Sequence, residues 1–307
     1  MTKQHPREES RAMRIYRWVR FILIPVIAAV MIVSVWQLIR INREYRESEK
    51  AYQQVGEQFI MIVDAEEPAI ASVPYAETAD PSDGSIENVP LPAATQAPTG
   101  DDSNEAGTAE PAAQTPAPTE TAPIAIDFHG LLNMNDECVG WIYIPDTTIN
   151  YPVMQAANNS KYLNMLPDGS ENKAGSIFMD SRNDPELIDG NIILYGHRLE
   201  NGAMFTPLKQ YEKQSFFDSH RTIWFLTPDA NYKITVIGCV TVPSTGETYE
   251  MYDEPESLKE YLSDVLKNAY ARASFDLKSV RQIYTLSTCT GKFGTRTVVI
   301  GIPERIG

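Results

Sequence analysis

Hydrophobic and polar positions divide this 307-residue chain into stretches of distinct pattern. Phe21 to Ile39 is almost wholly apolar, broken only by Pro25, Ser34 and Gln37, with arginines on both sides. That length is close to the roughly 20 residues that carry a helix across a bilayer. A helix apolar all round does not suit the surface of a globular core. The pattern predicts a membrane-spanning helix over 21–39. It is expected to stay uncleaved, because Ala28 and Ala29 lie inside the apolar run and not after it. Lys3 and five arginines precede the run, against Arg40, Arg43, Arg46 and Lys50 after it. The tail of residues 1–20 is therefore expected in the cytoplasm and the remainder outside, in a single-pass cell-membrane topology.

Beyond the apolar run, charges of both signs interleave over 40–63, which predicts a solvated, membrane-proximal polar helix. From 64 to 123 Pro, Ala, Thr, Glu and Asp dominate, with no Lys or Arg. Such a segment buries too little apolar surface to offset its ordering entropy, so a disordered linker or stalk is expected. The globular part is expected to span 124–307. Its apolar runs are short and β-branched: 141–144, 149–154, 176–179, 192–195, 223–226, 232–242, and two near the end around 280–302. Short helices are predicted at 127–136 and 202–210. Leu258, Tyr261, Leu262, Val265 and Leu266 show helical spacing within a longer helix over 256–271. Many short strands with few helices indicate a mostly β, closed barrel.

The net charge of −15, with no basic stripe beyond the first fifty residues, argues against nucleic acid as a partner, and none is expected. The three cysteines, Cys138, Cys239 and Cys289, share no close spacing, which argues against a metal knuckle or a CxxC redox site. A Cys138–Cys239 bridge is left open by the sequence. No histidines and carboxylates stand at ligand spacing, so neither a metal nor another cofactor is expected.

Candidate chemistry lies at two strand ends. Thr285-Leu286-Ser287-Thr288-Cys289 closes one apolar run, and Arg296 opens the next, Thr297-Val298-Val299-Ile300. The two would face each other across one edge of a sheet. Alone, Cys289 reads better as a small buried residue at a strand end than as a reactive thiol. Far upstream, Asn191-Ile192-Ile193-Leu194-Tyr195-Gly196-His197 is a buried-strand run ending in a histidine. A Cys and a His, each at a strand end, fit a nucleophile and its proton partner.

These three stretches together resemble a class B sortase. Gly140-Trp141-Ile142-Tyr143-Ile144-Pro145, Tyr151-Pro152-Val153-Met154-Gln155, Ala174-Gly175-Ser176-Ile177-Phe178-Met179-Asp180 and Gly202-Ala203-Met204-Phe205 resemble that family in order and spacing, over roughly 127–303. The resemblance implies a sortase-type β-barrel. It also implies a transpeptidase of the Gram-positive surface that cleaves a C-terminal sorting signal of secreted proteins. The new carboxyl end would pass, through a thioester, to an amine of a peptidoglycan precursor or a pilin. Cys289 would be the nucleophile, His197 the acid and base, and Arg296 the oxyanion partner. Asn159, Leu163, Thr245, Tyr249 and Ser287 would line the substrate groove. The segment from Thr290 to Thr295 is shorter than in the family, which leaves Arg281, Lys292 and Arg198 as alternative cations. Two other activities stay open on the residues alone: an inactive sortase-like binding or scaffold protein, and a cysteine peptidase that hydrolyses the same signal.

Overall fold

The computed structural model describes residues 11–62 and 121–306. Helix α1 (Arg11–Trp18) runs through a wider π-type turn (Val19–Leu23) into α2 (Ile24–Phe59). The wide turn ends two residues before Pro25, which has no N–H to bond the carbonyl four residues back. The 36 residues of α2 span about 54 Å at 1.5 Å per residue. The stretch is long and apolar enough to cross a membrane, and its apolar window is unburied.

The last turns of α2 correct the expectation of a solvated helix over 40–63. Ser48, Val55 and Phe59 are buried, and Tyr52 is half-buried between them. Positions 48, 52, 55 and 59 form one stripe, and that stripe rests on the globular unit. The Tyr52 hydroxyl donates to the carbonyl of Gly175 at 2.6 Å, and its ring meets Tyr151 edge-on at 5.1 Å. Glu44 pairs with Lys173 at 3.0 Å. Beyond the helix, β1 (Ile60–Ile62) pairs antiparallel with β2 (Ile124–Ile126), so the globular unit takes in residues before 124. The expected linker lies outside the described residues, except for its end at 121–123, where Ala122 is buried.

After β2 come α3 (Phe128–Met134), β3 (Cys138–Tyr143), β4 (Asn150–Met154), β5 (Ile177–Met179) and β6 (Asn191–Tyr195). A short 3-10 helix (Thr206–Glu212) stands where a helix over 202–210 is expected, and α4 (Gln214–Ser219) follows. The hairpin of β7 (Thr222–Leu226) and β8 (Asn231–Pro243) leads to a 3-10 turn (Glu247–Tyr249), α5 (Pro255–Val265) and β9 (Ala271–Arg272). Last come β10 (Ile283–Cys289) and β11 (Thr295–Ile306). The strand order is β11-β10-β6-β5-β4-β3-β7-β8, and the β8–β11 pairing closes these eight strands into a barrel. Where β7 ends, β9 takes over the free side of β8.

Alternation along the strands divides the core. Val299 points into the barrel with Leu194, Phe225 and Leu286. Its neighbours Val298 and Ile300 point out and are covered by Leu258, Leu262 and Leu266, from α5 and the turn after it. Trp141 faces a second outer layer, where Phe59 and Val55 of α2 meet Leu131 of α3. Burial of each such side chain stabilises the fold by about 1.5–3 kcal/mol.

Candidate active site

Three strand ends meet at one edge of the barrel. β6 and β10 run parallel, with Tyr195 opposite Ser287. His197 and Cys289 each follow that pair by two residues, so the register carries them out side by side. The Gly196 N–H donates to the Ser287 carbonyl at 3.2 Å, and the Thr288 hydroxyl donates back to the Gly196 carbonyl at 2.8 Å. Gly196 is required here by close approach, since a Cβ would sit 2.4 Å from the Ile177 side chain and 2.6 Å from the Phe205 ring. On the other side, β11 runs antiparallel to β10, and Arg296 is the direct register partner of Cys289. The short connection closes because Gly291 and Gly294 take φ of 87° and 73°. Arg198 braces it, donating to the Thr290 carbonyl at 2.7 Å.

The three side chains line a cavity of about 350 Å³. Cys289 is exposed there, whereas Cys138 and Cys239 are buried, and all three thiols are free. Burial pushes the Cys138 and Cys239 thiols up to about 12, which leaves them protonated and inert. The bridge left open by the sequence is therefore not formed. His197 Nε2 lies 2.7 Å from the Leu163 carbonyl oxygen. That oxygen can only accept, so Nε2 carries the hydrogen and Nδ1 is the free nitrogen. The guanidinium of Arg296 donates to the Thr295 carbonyl at 3.1 Å. Of the alternative cations, Arg198 is spent on the loop, and Arg281 bonds the Lys278 and Val280 carbonyls at the opposite end of β10. None of Arg198, Arg281 or Lys292 lines the cavity.

Of the five residues expected in the groove, Asn159, Leu163, Tyr249 and Ser287 line it. Thr245 does not: it is exposed, and its neighbour Ser244 takes the position. The Tyr249 hydroxyl is 3.0 Å from Ser287 Oγ. Burial pushes that hydroxyl up, against the Ser287 hydrogen bond and the nearby Arg296 charge, so it stays a neutral hydrogen-bonding group. The sequence reading missed Phe178, Tyr195 and Thr288, which also line the cavity. Thr288 adjoins the cysteine and Tyr195 stands two residues before the histidine, and that proximity was the available signal.

A sortase-domain family model matches residues 142–304. Over 181 residues the chain is 31% identical to sortase B of Staphylococcus aureus, which covers 58% of this chain and 74% of that protein. Over 165 residues it is 33% identical to sortase B of Listeria monocytogenes, covering 53% of this chain and 67% of that one. This chain is a class B sortase. Sortases are cysteine transpeptidases of the cell surface, and this one carries an accessible cysteine in a barrel-edge cavity. The solved Staphylococcus aureus sortase B–substrate complex superposes with a TM-score of 0.55 at 30% identity, over 59% of this chain and 85% of that one. The sortase barrel is the same closed, eight-stranded one expected from the strand pattern.

Proposed function

We propose that this sortase is a membrane-anchored transpeptidase that cuts the C-terminal sorting signal of secreted proteins. It would join the new carboxyl end to an amine of a cell-wall precursor or a pilin. The observation that carries this reading is the Cys289–Arg296 register pair beside His197, all on one cavity. Cys289 gives up its proton to His197, and the thiolate so formed attacks the carbonyl carbon of the signal's threonine. The oxyanion that develops faces the Arg296 guanidinium, a cation held where charge grows in the transition state. The C–N bond breaks as His197 passes a proton to the leaving amine, and a thioester remains on Cys289. The acceptor amine then attacks that thioester, His197 takes its proton, and the C–S bond breaks to release the Cys289 thiolate, which takes that proton back from His197. Asn159, Leu163, Tyr249 and Ser287 contact the signal peptide.

The anchor is the apolar stretch Phe21–Ile39, with the basic tail inside and the barrel outside. The reading is tested with the full chain in detergent and a panel of threonine-containing sorting-signal peptides. Cleavage should be accompanied by transfer when an amine acceptor is present and by slow hydrolysis when it is absent. Both should vanish in Cys289→Ala. Cleavage that persists in Cys289→Ala would overturn the mechanism. Protection of the barrel from protease added to intact protoplasts would overturn the topology.

A further inference from the structure

We infer that Asp180 and Arg182 are a positioning pair that sets the wall of the substrate cleft without touching the reacting atoms. Asp180 lies one residue past β5 and is fully buried. A buried carboxylate is costly unless its oxygens are matched, and here each is matched twice. One oxygen accepts from the backbone N–H and from Nε of Arg182, both at 3.0 Å. The other accepts from Arg182 Nη2 at 2.9 Å and from the Tyr195 hydroxyl at 2.8 Å. This two-pronged grip fixes the plane of the guanidinium. Nη2 then also reaches the Tyr249 carbonyl, at 2.8 Å.

Three walls of the cleft converge on this pair. Tyr195 is held by Asp180 directly, and its ring stacks on Tyr249, with centroids 6.0 Å apart. Tyr249 is held by Arg182 and reaches across to Ser287. Asn159 accepts from the backbone N–H of Ser181, between the two charged residues, at 2.7 Å. Asn191 holds the carbonyls on either side of Tyr249, those of Thr248 and Glu250, at 3.1 and 2.9 Å. Arg182 takes the carbonyl between them, on the residue whose side chain faces the cleft. Neither Asp180 nor Arg182 lines the cavity itself. The Arg182 side chain is 52% exposed, so its removal takes little apolar packing from the core, and the melting temperature it costs comes from leaving the buried Asp180 carboxylate without its cation. Its loss should loosen the cleft wall more than it weakens the barrel.

The kinetic arm of the test rests on the transpeptidase reading, while amide exchange does not. Arg182→Ala and Arg182→Lys are made in the full chain. In Arg182→Ala, amide exchange over 247–250 should quicken about tenfold, as expected for loss of one charge-assisted hydrogen bond, while exchange in β10 and β11 stays unchanged. With the sorting-signal peptides, KM should rise by a similar factor, with kcat and the iodoacetamide alkylation rate of Cys289 held within about twofold. Arg182→Lys should restore the melting temperature but not KM, because a single ammonium lacks the fork that grips Asp180 and Tyr249 together. Unchanged exchange over 247–250, or quickening spread evenly through the chain, would overturn the inference. So would a KM equal to wild type. If the wild-type chain turned over no peptide, the transpeptidase reading would fail, and the exchange pattern would still decide the role of Arg182.

Discussion

Phe59→Ala tests whether the membrane-proximal helix belongs to the catalytic fold. Phe59 is 2% exposed, in a cluster with Val55, Leu131 and Trp141. Its ring packs so closely on Gly130 that a Cβ there would lie 2.9 Å away, and its carbonyl accepts from the Asp127 N–H at 2.8 Å. Truncating such a phenylalanine costs about 3–5 kcal/mol, through lost transfer energy and the cavity left behind. For a unit of this size each kcal/mol lowers Tm by roughly 2–4 °C, so a fall of about 6–20 °C is expected. Arg43→Ala is the control. It removes an exposed ion pair with Glu47 four residues on, worth about 0.3–0.5 kcal/mol, so Tm should shift by at most about 2 °C. The assay is thermal unfolding of the full chain in detergent, followed by tryptophan fluorescence. Trp141 and Trp224 both lie in the Phe59 cluster and report its loss directly. If Phe59→Ala melted within 2 °C of wild type, the helix end would be detached from the barrel and the assignment of residues 40–62 to the catalytic unit would be wrong.

His197→Ala should lower single-turnover thioester formation by about 10²–10⁴-fold, because the leaving amine departs without a proton donor; a loss under tenfold would remove His197 from that role. Arg296→Lys should cost about 10²–10³ in kcat despite keeping the charge, and kcat near wild type would assign the oxyanion contact elsewhere. Asp180 titrates below the usual carboxylate range: burial opposes its ionisation, but the Arg182 and Tyr195 hydrogen bonds outweigh burial. A depressed folded value means stabilisation that is present above about pH 4, the ordinary aspartate value, and is lost as pH falls through the folded one. The urea midpoint of Asp180→Asn should therefore lie below wild type at pH 7 and converge on it under acid; parallel profiles from pH 7 to 3 would contradict this.

Much of the protein was legible locally. Val298, Val299 and Ile300 declare a strand buried on both faces, and the apolar spacing from Leu258 to Leu266 declares a covering helix, because side-chain direction follows backbone period. Cys289, His197 and Arg296 could be singled out because each sits at a strand end, where a barrel exposes function. The stripe 48, 52, 55, 59 was also present in the sequence, but interleaved charges masked it, and its partners lie around residues 122–176. Ser244 lines the cleft in place of Thr245, because the chain bends just past the end of β8 at Pro243 and turns Thr245 out to solvent. The register that sets Cys289 against Arg296, and the grip of Arg182 on Tyr249 from 67 residues away, arise only when the barrel closes. Sequence determined each element through local sterics and burial. Tertiary structure decided which faces and ends meet, because strand pairing and side-chain contacts across the closed sheet join residues far apart in the chain.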